Sequence, residues 1–413
     1  MLKIIREYPA FRNLLWSSIT AKLGNSITLV VLMYAIATAT DKPIFISLVL
    51  LAEMLPMILV GLLAGAIADK YPRYKIMMTS EWIQTLSVVC MIFSLHNPYL
   101  LLLLIFFQNI AAAFFTPARS AYITQLVPKE ILPKSFGLSH SVYQVISIVG
   151  PALAGVLLLL FDNSSLLIIN VFTFLLSTLF IYRASKLVIH LQPEKPKGQK
   201  EPLIQSIRYG IKATFEIAAL RFLIILLVLV MFAAGIFNAN SEIIELKLFE
   251  VSELHYGLLG AIMGIGGIIG SLLAPYLINK WPPNKFFIAS AVILGLWMIV
   301  IAPFYLYGES LQLFLLYVWV FIMGILTTFL NIPINSIFLT ITPDQIKGRA
   351  VSILQMSVNF AIVIGILVGG ILASFVSVLT ATAIAGLGII IASFISMKLK
   401  GFKLLNTAEN EAS

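Results

Sequence analysis

Two charged side chains lie inside long apolar stretches, where ionisable groups are rare and usually functional. Lys22 follows Arg12 by ten residues, which at 1.5 Å per helical residue places it about 15 Å into the first stretch. Glu53 lies about 14 Å inside the second stretch, so we expect both side chains at similar depth. The spacing predicts a buried ion pair or a group that changes its protonation. A static pair that only fixes helix packing is the alternative.

A second set of polar residues could bind a ligand within apolar surroundings. Gln144 and Asn359 lie about 15 Å inside the fifth and eleventh stretches, and His140 precedes Gln144 by one helical turn. Such amides bind a polar ligand or join neighbouring helices. His140 either titrates near neutral pH or is packed and neutral. The other candidates are Asn25, Gln108, Asn170, Asn238 and Glu242, the last of which lines an outer vestibule or marks an exposed helix end.

The composition determines the class of protein. The chain has 413 residues, of which 60% are hydrophobic and 11% charged, whereas soluble domains have about 25% charged residues. This predicts an all-α membrane protein of twelve spanning helices, each about 20 residues long. We find neither a phosphate-binding lysine loop nor closely spaced metal ligands. We therefore expect no cofactor, no metal and no enzymatic activity.

The predicted helices follow the apolar stretches. They are placed at 13–38, 44–69, 76–96, 99–125, 135–160, 165–183, 221–246, 255–279, 285–306, 311–340, 349–374 and 378–398. The predicted organisation is an N-terminal six-helix bundle (1–183), a cytoplasmic linker with an amphipathic helix at 203–220 (184–220), a C-terminal six-helix bundle (221–400) and a cytoplasmic tail (401–413).

The distribution of basic residues predicts the orientation in the membrane. With both termini inside, nearly all Lys and Arg fall in the inner segments, and the outer segments contain only Lys42 and Lys247. This asymmetry follows the positive-inside rule. It also accounts for the net charge of +9 without a nucleic-acid partner.

The two halves of the chain repeat each other. Asp69-Lys-Tyr-Pro72 matches Asn279-Lys-Trp-Pro282 at an offset of 210. Further along, a constant offset of 215 relates five positions. These pairs are Pro128 and Pro343, Lys134 and Arg349, Gln144 and Asn359, Gly150 and Gly365, and Gly155 and Gly370. An internal repeat of six helices is typical of transporters.

The segment between the second and third helices combines small residues, one acid and several bases. Gly61 and Gly65 predict a close approach by a neighbouring helix. Asp69 ends the second helix beside the basic residues Lys70, Arg73 and Lys75. This arrangement predicts an electrostatic latch.

The segment 65–75 resembles motif A of the major facilitator superfamily. Together with Pro117-Ala-Arg119, Gly150-Pro151 and Tyr256-Gly257, it resembles the branch of macrolide, multidrug and enterobactin exporters. The resemblance implies two six-helix bundles around a central cavity that opens alternately to each side. It also implies that the charges of motif A hold an inner gate with Arg119, which would pair with Asp69 or Glu81 or extend to the inner surface.

The resemblance also bears on the fifth helix and on coupling. Gly150-Pro151 resembles a shortened motif C of antiporters, with a static proline kink as the alternative. Many proton-driven relatives carry an acid in helix one and an arginine in helix four. This chain has Gly24-Asn25 and Gln108 at those places, which weakens the case for a standard proton relay.

These features predict a secondary transporter that exports drug-like amphiphilic molecules across the bacterial inner membrane. We expect a small-molecule substrate, a lipid bilayer, protons as the candidate coupling ion and a monomer. A siderophore transporter, working in export or import, is the alternative, followed by a lysophospholipid transporter. A channel or receptor would predict neither the repeat nor the inner latch.

Overall fold

The computed structural model describes residues 2–187, 211–278, 281–343 and 346–398, and these residues form helices joined by turns. The central part of the predicted linker and the predicted tail lie outside these ranges. Helices are the expected element because backbone polar groups in hydrocarbon must be hydrogen-bonded within the segment.

Twelve long helices make up the described chain, which confirms the predicted fold class. They are α1 (Pro9–Ala39), α2 (Ile44–Lys70), α3 (Arg73–Ile92), α4 (Pro98–Leu126), α5 (Leu132–Leu158), α6 (Asn163–Leu187), α7 (Ala218–Ile243), α8 (Glu253–Ile278), α9 (Pro283–Ile299), α10 (Glu309–Ile341), α11 (Lys347–Phe375) and α12 (Val378–Lys398). A short helix at Leu2–Glu7 precedes α1, and short 3-10 helices lie at Lys129–Ile131 and Ala302–Leu306.

Polar side chains and prolines set several of the helix ends. Asn97 caps α4 by accepting a hydrogen bond from the Leu100 amide at 3.1 Å, and Pro98 occupies the first turn. The Asp162 carboxylate caps α6 in the same way, by accepting a hydrogen bond from the Ser164 amide at 3.2 Å. It accepts a hydrogen bond from the Ser165 hydroxyl, and this bond lowers the pKa of Asp162.

Several predicted helix boundaries differ from the structure, and three of the differences have a local cause. The third helix ends at Ile92 and not at 96, because the chain turns before the Asn97 cap. The ninth ends at Ile299, and the 3-10 helix Ala302–Leu306 follows it. Residues 203–210 of the predicted helix 203–220 lie outside the described ranges. Its described part is interrupted, since residues 211–216 are helical but Ile217 is extended and α7 begins next.

The helices fall into two compact units. Unit 1 contains Met1–Lys197 and Val251–Ala261, and unit 2 contains Gly198–Glu250 and Ile262–Ser413. In unit 1, α1 packs against α5 and α6, α3 against α4 and α6, and α2 against α4. In unit 2, α7 packs against α11 and α12, α9 against α10 and α12, and α8 against α10. Each of the five helix pairs in unit 1 therefore has a counterpart in unit 2 in which both helix numbers are higher by six.

Eleven of the twelve long helices contain a segment apolar and long enough to cross a membrane, judged over the residues that the structure describes. The exception is α3, which carries Glu81, Gln84 and Thr85. The chain is thus a multi-pass membrane protein, with one helix that is more polar than the others.

The close approaches between helices occur at other glycines than predicted. A Cβ atom added at Gly61 or Gly65 would meet no described atom within 4 Å, so the predicted close approach is not found there among the described residues. At Gly24, an added Cβ would lie 2.0 Å from side-chain oxygens of Asn170 and Thr173. One close contact at a glycine in this half of the chain therefore lies between α1 and α6.

Candidate functional site

The polar side chains of the spanning helices form two kinds of group. A polar group in hydrocarbon needs a partner from a neighbouring helix or contact with water. Side chains that are hydrogen-bonded between helices serve packing. Exposed side chains without a partner are available to a ligand.

Asn25 and Gln108 belong to the first kind. The Gln108 amide on α4 donates a hydrogen bond to the Asn25 side-chain oxygen on α1, at 3.0 Å. Gln108 is buried and Asn25 is half-buried. These two residues stand where proton-driven relatives were expected to carry an arginine and an acid. Here two neutral amides join the helices.

Asn170 is also committed to helix packing. Its amide on α6 donates a hydrogen bond to the Thr28 hydroxyl on α1, and its side-chain oxygen accepts one from Thr173 at 2.8 Å. The side chain is fully buried. The absence of a side chain at Gly24 leaves the space that this network occupies.

Lys22 and Glu53 are neighbours without direct contact. Their charges lie close enough to attract each other, and both side chains are half-buried. Within the described residues no nitrogen–oxygen pair at 4.0 Å or less joins them. The predicted contact ion pair is therefore not formed in this structure, while the predicted proximity is found. A protonation change of either group stays a prediction.

A stripe of polar residues runs along the exposed face of α5. We call it the α5 stripe, and it consists of Gly137, His140, Ser141, Gln144 and Ser147, which recur every three or four residues and are all exposed. The Ser141 and Ser147 hydroxyls bond to backbone carbonyls of their own helix. The side chains of His140 and Gln144 make no hydrogen bond with other described residues. The predicted alternative of a packed histidine is thus wrong.

A matching stripe lies on α11. This α11 stripe consists of Ser352 and Gln355, which are exposed, and Asn359, which is half-buried. Each residue follows its counterpart Gly137, His140 or Gln144 by 215 positions. Sequence reasoning missed Gln355, although the constant offset from His140 was a sufficient signal.

Pro151 lies inside α5, directly after a glycine that contacts α1. An added Cβ at Gly150 would lie 2.5 Å from Ser26 Cβ, so this position is tied to close packing of α5 against α1. In the same unit an added Cβ at Gly257 would lie 2.3 Å from the Pro151 carbonyl oxygen. The proline thus lies where its backbone is closely covered by the first turns of α8.

Arg119 on α4 contacts an aromatic ring. Its guanidinium lies over the Tyr143 ring, 4.4 Å from the ring centroid, a favourable cation–π geometry. Its buried Nε has no hydrogen-bond partner among the described atoms. The predicted pairing with Glu81 is not formed, because Arg119 Nε and Glu81 Oε2 both lack a hydrogen-bond partner among the described atoms. The predicted pairing with Asp69 stays a prediction, because that side chain lies outside the described part of the structure.

The predicted latch is described only in part. Lys70 and Lys75 are exposed, and the Lys70 amine lies 5.6 Å from the centroid of the Tyr71 ring. Arg73 is half-buried, with a buried Nε that lacks a hydrogen-bond partner among the described atoms. The side chain of Asp69 lies outside the described part of the structure. Its role at an inner gate stays a prediction.

The end of α7 carries a second group of acids and amides. Asn238 is exposed and Glu242 is half-buried. The helix continues into one turn of π-helix at Ile244–Leu248, and within this turn Glu245 is buried and accepts a hydrogen bond from Ser241 at 3.3 Å. A π-helical turn often marks a functional position.

The family follows from a comparison with family models. The model described as transmembrane secretion effector matches residues 6–412. The chain belongs to this family of the major facilitator superfamily. Its relatives are transporters and not enzymes, which agrees with the fold of twelve helices.

Three relatives of the transporter indicate the range of the family. The uncharacterised MFS-type transporter YfiS of Bacillus subtilis is 27% identical, with 95% of this chain and 94% of the relative covered. Macrolide efflux protein A of Streptococcus pyogenes is 24% identical, with 88% and 89% covered. The staphyloferrin A transporter of Staphylococcus aureus is 22% identical, with 93% and 96% covered.

Solved structures resemble the transporter in fold. The nucleoside transporter NupG matches with a TM-score of 0.73 at 15% identity. The match covers 95% of this chain and 100% of the NupG chain. A bacterial homologue of the iron transporter ferroportin, in an inward-facing state, matches with a TM-score of 0.72 at 12% identity, covering 95% and 99%. Identities this low indicate the fold alone.

Proposed function

We propose that the transporter exports amphiphilic, drug-like small molecules across the bacterial cytoplasmic membrane by alternating access, driven by a coupled ion. The macrolide efflux relative supports this substrate class. We further propose that both termini face the cytoplasm and that the protein acts as a monomer. In this proposal the two six-helix halves extend over 1–183 and 221–400.

The observation that carries the proposal is the pair of polar stripes on α5 and α11. Exposed His140, Gln144 and Gln355 cannot face lipid without a large free-energy cost, so each stripe lines water. The same positions in two repeated halves are expected for a pathway that serves one substrate. Their amides, which are unpaired among the described residues, supply hydrogen bonds to the substrate.

The chemistry of the stripes favours an amphiphile over a multiply charged ligand. Apart from His140, the α5 and α11 stripes contain neutral residues only. A polyanion would require several cations at the binding site. Lys22 is one half-buried cation with an acid near it. An uncharged or singly charged molecule with hydrogen-bonding groups fits such surfaces better.

A siderophore transporter is the second candidate. The staphyloferrin A transporter supports it, and Lys22 with His140 would suit an anionic ligand. This alternative includes both export and import of the siderophore. A lysophospholipid transporter ranks third.

Transport by the purified protein in proteoliposomes, with an imposed pH gradient, tests the proposal. The probes are a radiolabelled macrolide, a ferric siderophore and a lysophospholipid. We expect the pH gradient to drive movement of the macrolide. Gln144→Leu should abolish this movement, whereas Val145→Leu, a matched change at the adjacent exposed residue outside the stripe, should leave it intact.

The other outcomes distinguish the candidates. Movement of the siderophore alone would replace the drug-export proposal with the second candidate. Movement of a probe at a rate proportional to its own gradient, without response to the pH gradient, would contradict ion coupling. If none of the three probes moves, the proposed substrate classes are wrong.

A further inference from the structure

The helix α3 is the most polar of the spanning helices, and its polarity points inward. Its buried face includes Ser80, Glu81, Gln84, Thr85 and Ser87, whereas apolar neighbours on the other face are exposed. A membrane helix that hides its polar residues from lipid needs partners for them inside the bundle. One of these residues is an acid that the proposed transport mechanism has not yet used.

The Glu81 carboxyl lies at the end of a hydrogen-bonded chain across three helices. Its Oε1 accepts a hydrogen bond from Ser177 Oγ on α6, at 2.8 Å. Ser177 Oγ lies 2.8 Å from Ser17 Oγ on α1. A hydroxyl has one proton to donate, and Ser177 donates its proton to Glu81. Ser17 must therefore be the donor in the bond to Ser177.

The rest of the carboxyl is isolated. Glu81 is fully buried, with 0% of its surface exposed, and its Oε2 has no hydrogen-bond partner among the described atoms. Counting along α3 from Arg73 places Glu81 about 12 Å from the start of the helix. The side chain therefore lies within the bundle and far from the basic turn.

No charge balances this carboxyl in the described part of the chain. The groups that face it are the hydroxyls of Ser17 and Ser177. The ionisable described side chains on the surrounding helices are Arg12, Lys22 and Tyr34 on α1, Glu53 and Lys70 on α2, Tyr99, Arg119 and Tyr122 on α4, and Tyr182, Arg183 and Lys186 on α6. Among the described atoms, the hydrogen-bond partner of the Glu81 carboxyl is the Ser177 hydroxyl on Oε1, and Oε2 has none.

An ionised carboxylate in this position would be costly. Burying an uncompensated charge costs far more free energy than burying an unpaired oxygen of a neutral carboxyl group. The packed bundle therefore favours the neutral acid. For the proton to leave, its O–H bond must break and a water molecule must accept it. The remaining carboxylate then needs hydration, which the packed helices exclude.

We propose that Glu81, with Ser177 and Ser17, forms a proton-binding site inside the N-terminal bundle. Glu81 holds its proton while α1, α3 and α6 are packed together. It releases the proton when these helices separate enough to admit water. The role of this proton as the coupling ion rests on the proposed function. The presence of the proton on Glu81 does not depend on that function.

Infrared spectroscopy of the purified protein in lipid nanodiscs, at neutral pH, tests the site itself. The difference between wild type and Glu81→Gln should show the C=O stretching band of one protonated carboxyl. Glu130→Gln removes an exposed acid and should show the bands of an ionised carboxylate. Ionised carboxylate bands in the Glu81 difference would overturn the proposal.

A second variant leaves the Glu81 carboxyl in place and removes the side chain that donates a hydrogen bond to it. Ser177→Ala removes the hydrogen bond to Oε1, so the protonated carboxyl band should remain and move to higher frequency. An unmoved band would contradict the assignment to Glu81. This readout also serves if Glu81→Gln proves unstable.

A transport measurement then tests the coupling role. Glu81→Gln is permanently neutral, so pH-gradient-driven transport should fall to the level seen without a gradient. Exchange of substrate for substrate moves no net proton and should persist. Unchanged driven transport would overturn the coupling role. A protonated Glu81 in a wild type that moves no probe would instead place the failure in the proposed function.

Discussion

The contact between α1 and α6 gives a sharp test of the packing, through the substitution Gly24→Ala. A Cβ atom at this position would lie 2.0 Å from both Asn170 Oδ1 and Thr173 Oγ1, whereas Cβ contacts in real proteins are essentially never under 3.0 Å. Both oxygens would have to move by at least 3.0 − 2.0 = 1.0 Å. Asn170 is fully buried and bonded to Thr28, so this movement disrupts the network.

The size of the effect follows from three contributions. Overpacking a filled site costs about 1–3 kcal/mol, and each lost interhelical hydrogen bond in a membrane costs about 0.6 kcal/mol. Replacing glycine by alanine in a helix returns up to about 1 kcal/mol. We therefore expect Gly24→Ala to lower the free energy of unfolding by about 1–3 kcal/mol.

The assay is reversible unfolding of the purified protein by titration with a denaturing detergent. Gly61→Ala and Gly65→Ala are the matched controls, because no described atom lies within 4 Å of the added Cβ atoms. They should leave the stability unchanged or slightly raised. Asn170→Ala should cost less in the Gly24→Ala background than in wild type. A Gly24→Ala variant as stable as wild type would refute the packing argument.

Three further predictions concern other polar groups. A double-mutant cycle of Asn25→Ala and Gln108→Ala should give a coupling free energy of about 0.6 kcal/mol in detergent unfolding, and additive effects would contradict the 3.0 Å hydrogen bond. Lys22→Met should lower the melting temperature more than the double variant Lys22→Met/Glu53→Gln, since the single change leaves an unbalanced acid. A larger loss in the double variant would exclude attraction between the two charges. Asp162 has a pKa below its ordinary value in the folded state, so its stabilisation is present above the unfolded pKa of about 3.9 and is lost as pH falls through the folded-state value. The melting temperatures of wild type and Asp162→Asn should differ at neutral pH and converge in acid, and a constant difference would contradict this.

The twelve helices were predictable because each needs about 20 apolar residues, and those stretches are plain in the sequence. The close contacts between helices were not predictable from the sequence. A glycine permits close packing only where the helix face that carries it meets another helix. Gly61 and Gly65 therefore looked like contacts, while Gly24 looked like a missing acid. That distinction depends on which helix faces are paired.

The residues of the candidate site were also predictable only in part. His140, Gln144 and Asn359 were found from depth and the internal repeat, and Gln355 followed from the same offset but was overlooked. Glu81 was considered only as a partner for Arg119. Its isolation depends on which groups the neighbouring helices present, and no sequence pattern shows that.

The most direct test of the account is the water accessibility of the two polar stripes. The chain has a single cysteine, Cys90, so Cys90→Ser provides a background for single cysteines at Gln144, Gln355 and the control position Val145. We predict that a charged, water-soluble thiol reagent labels the Gln144→Cys and Gln355→Cys variants much faster than Val145→Cys. An exported compound should slow labelling at both stripe positions. Equal labelling at all three positions, or labelling that the exported compound does not change, would contradict the claim that the stripes line the substrate pathway.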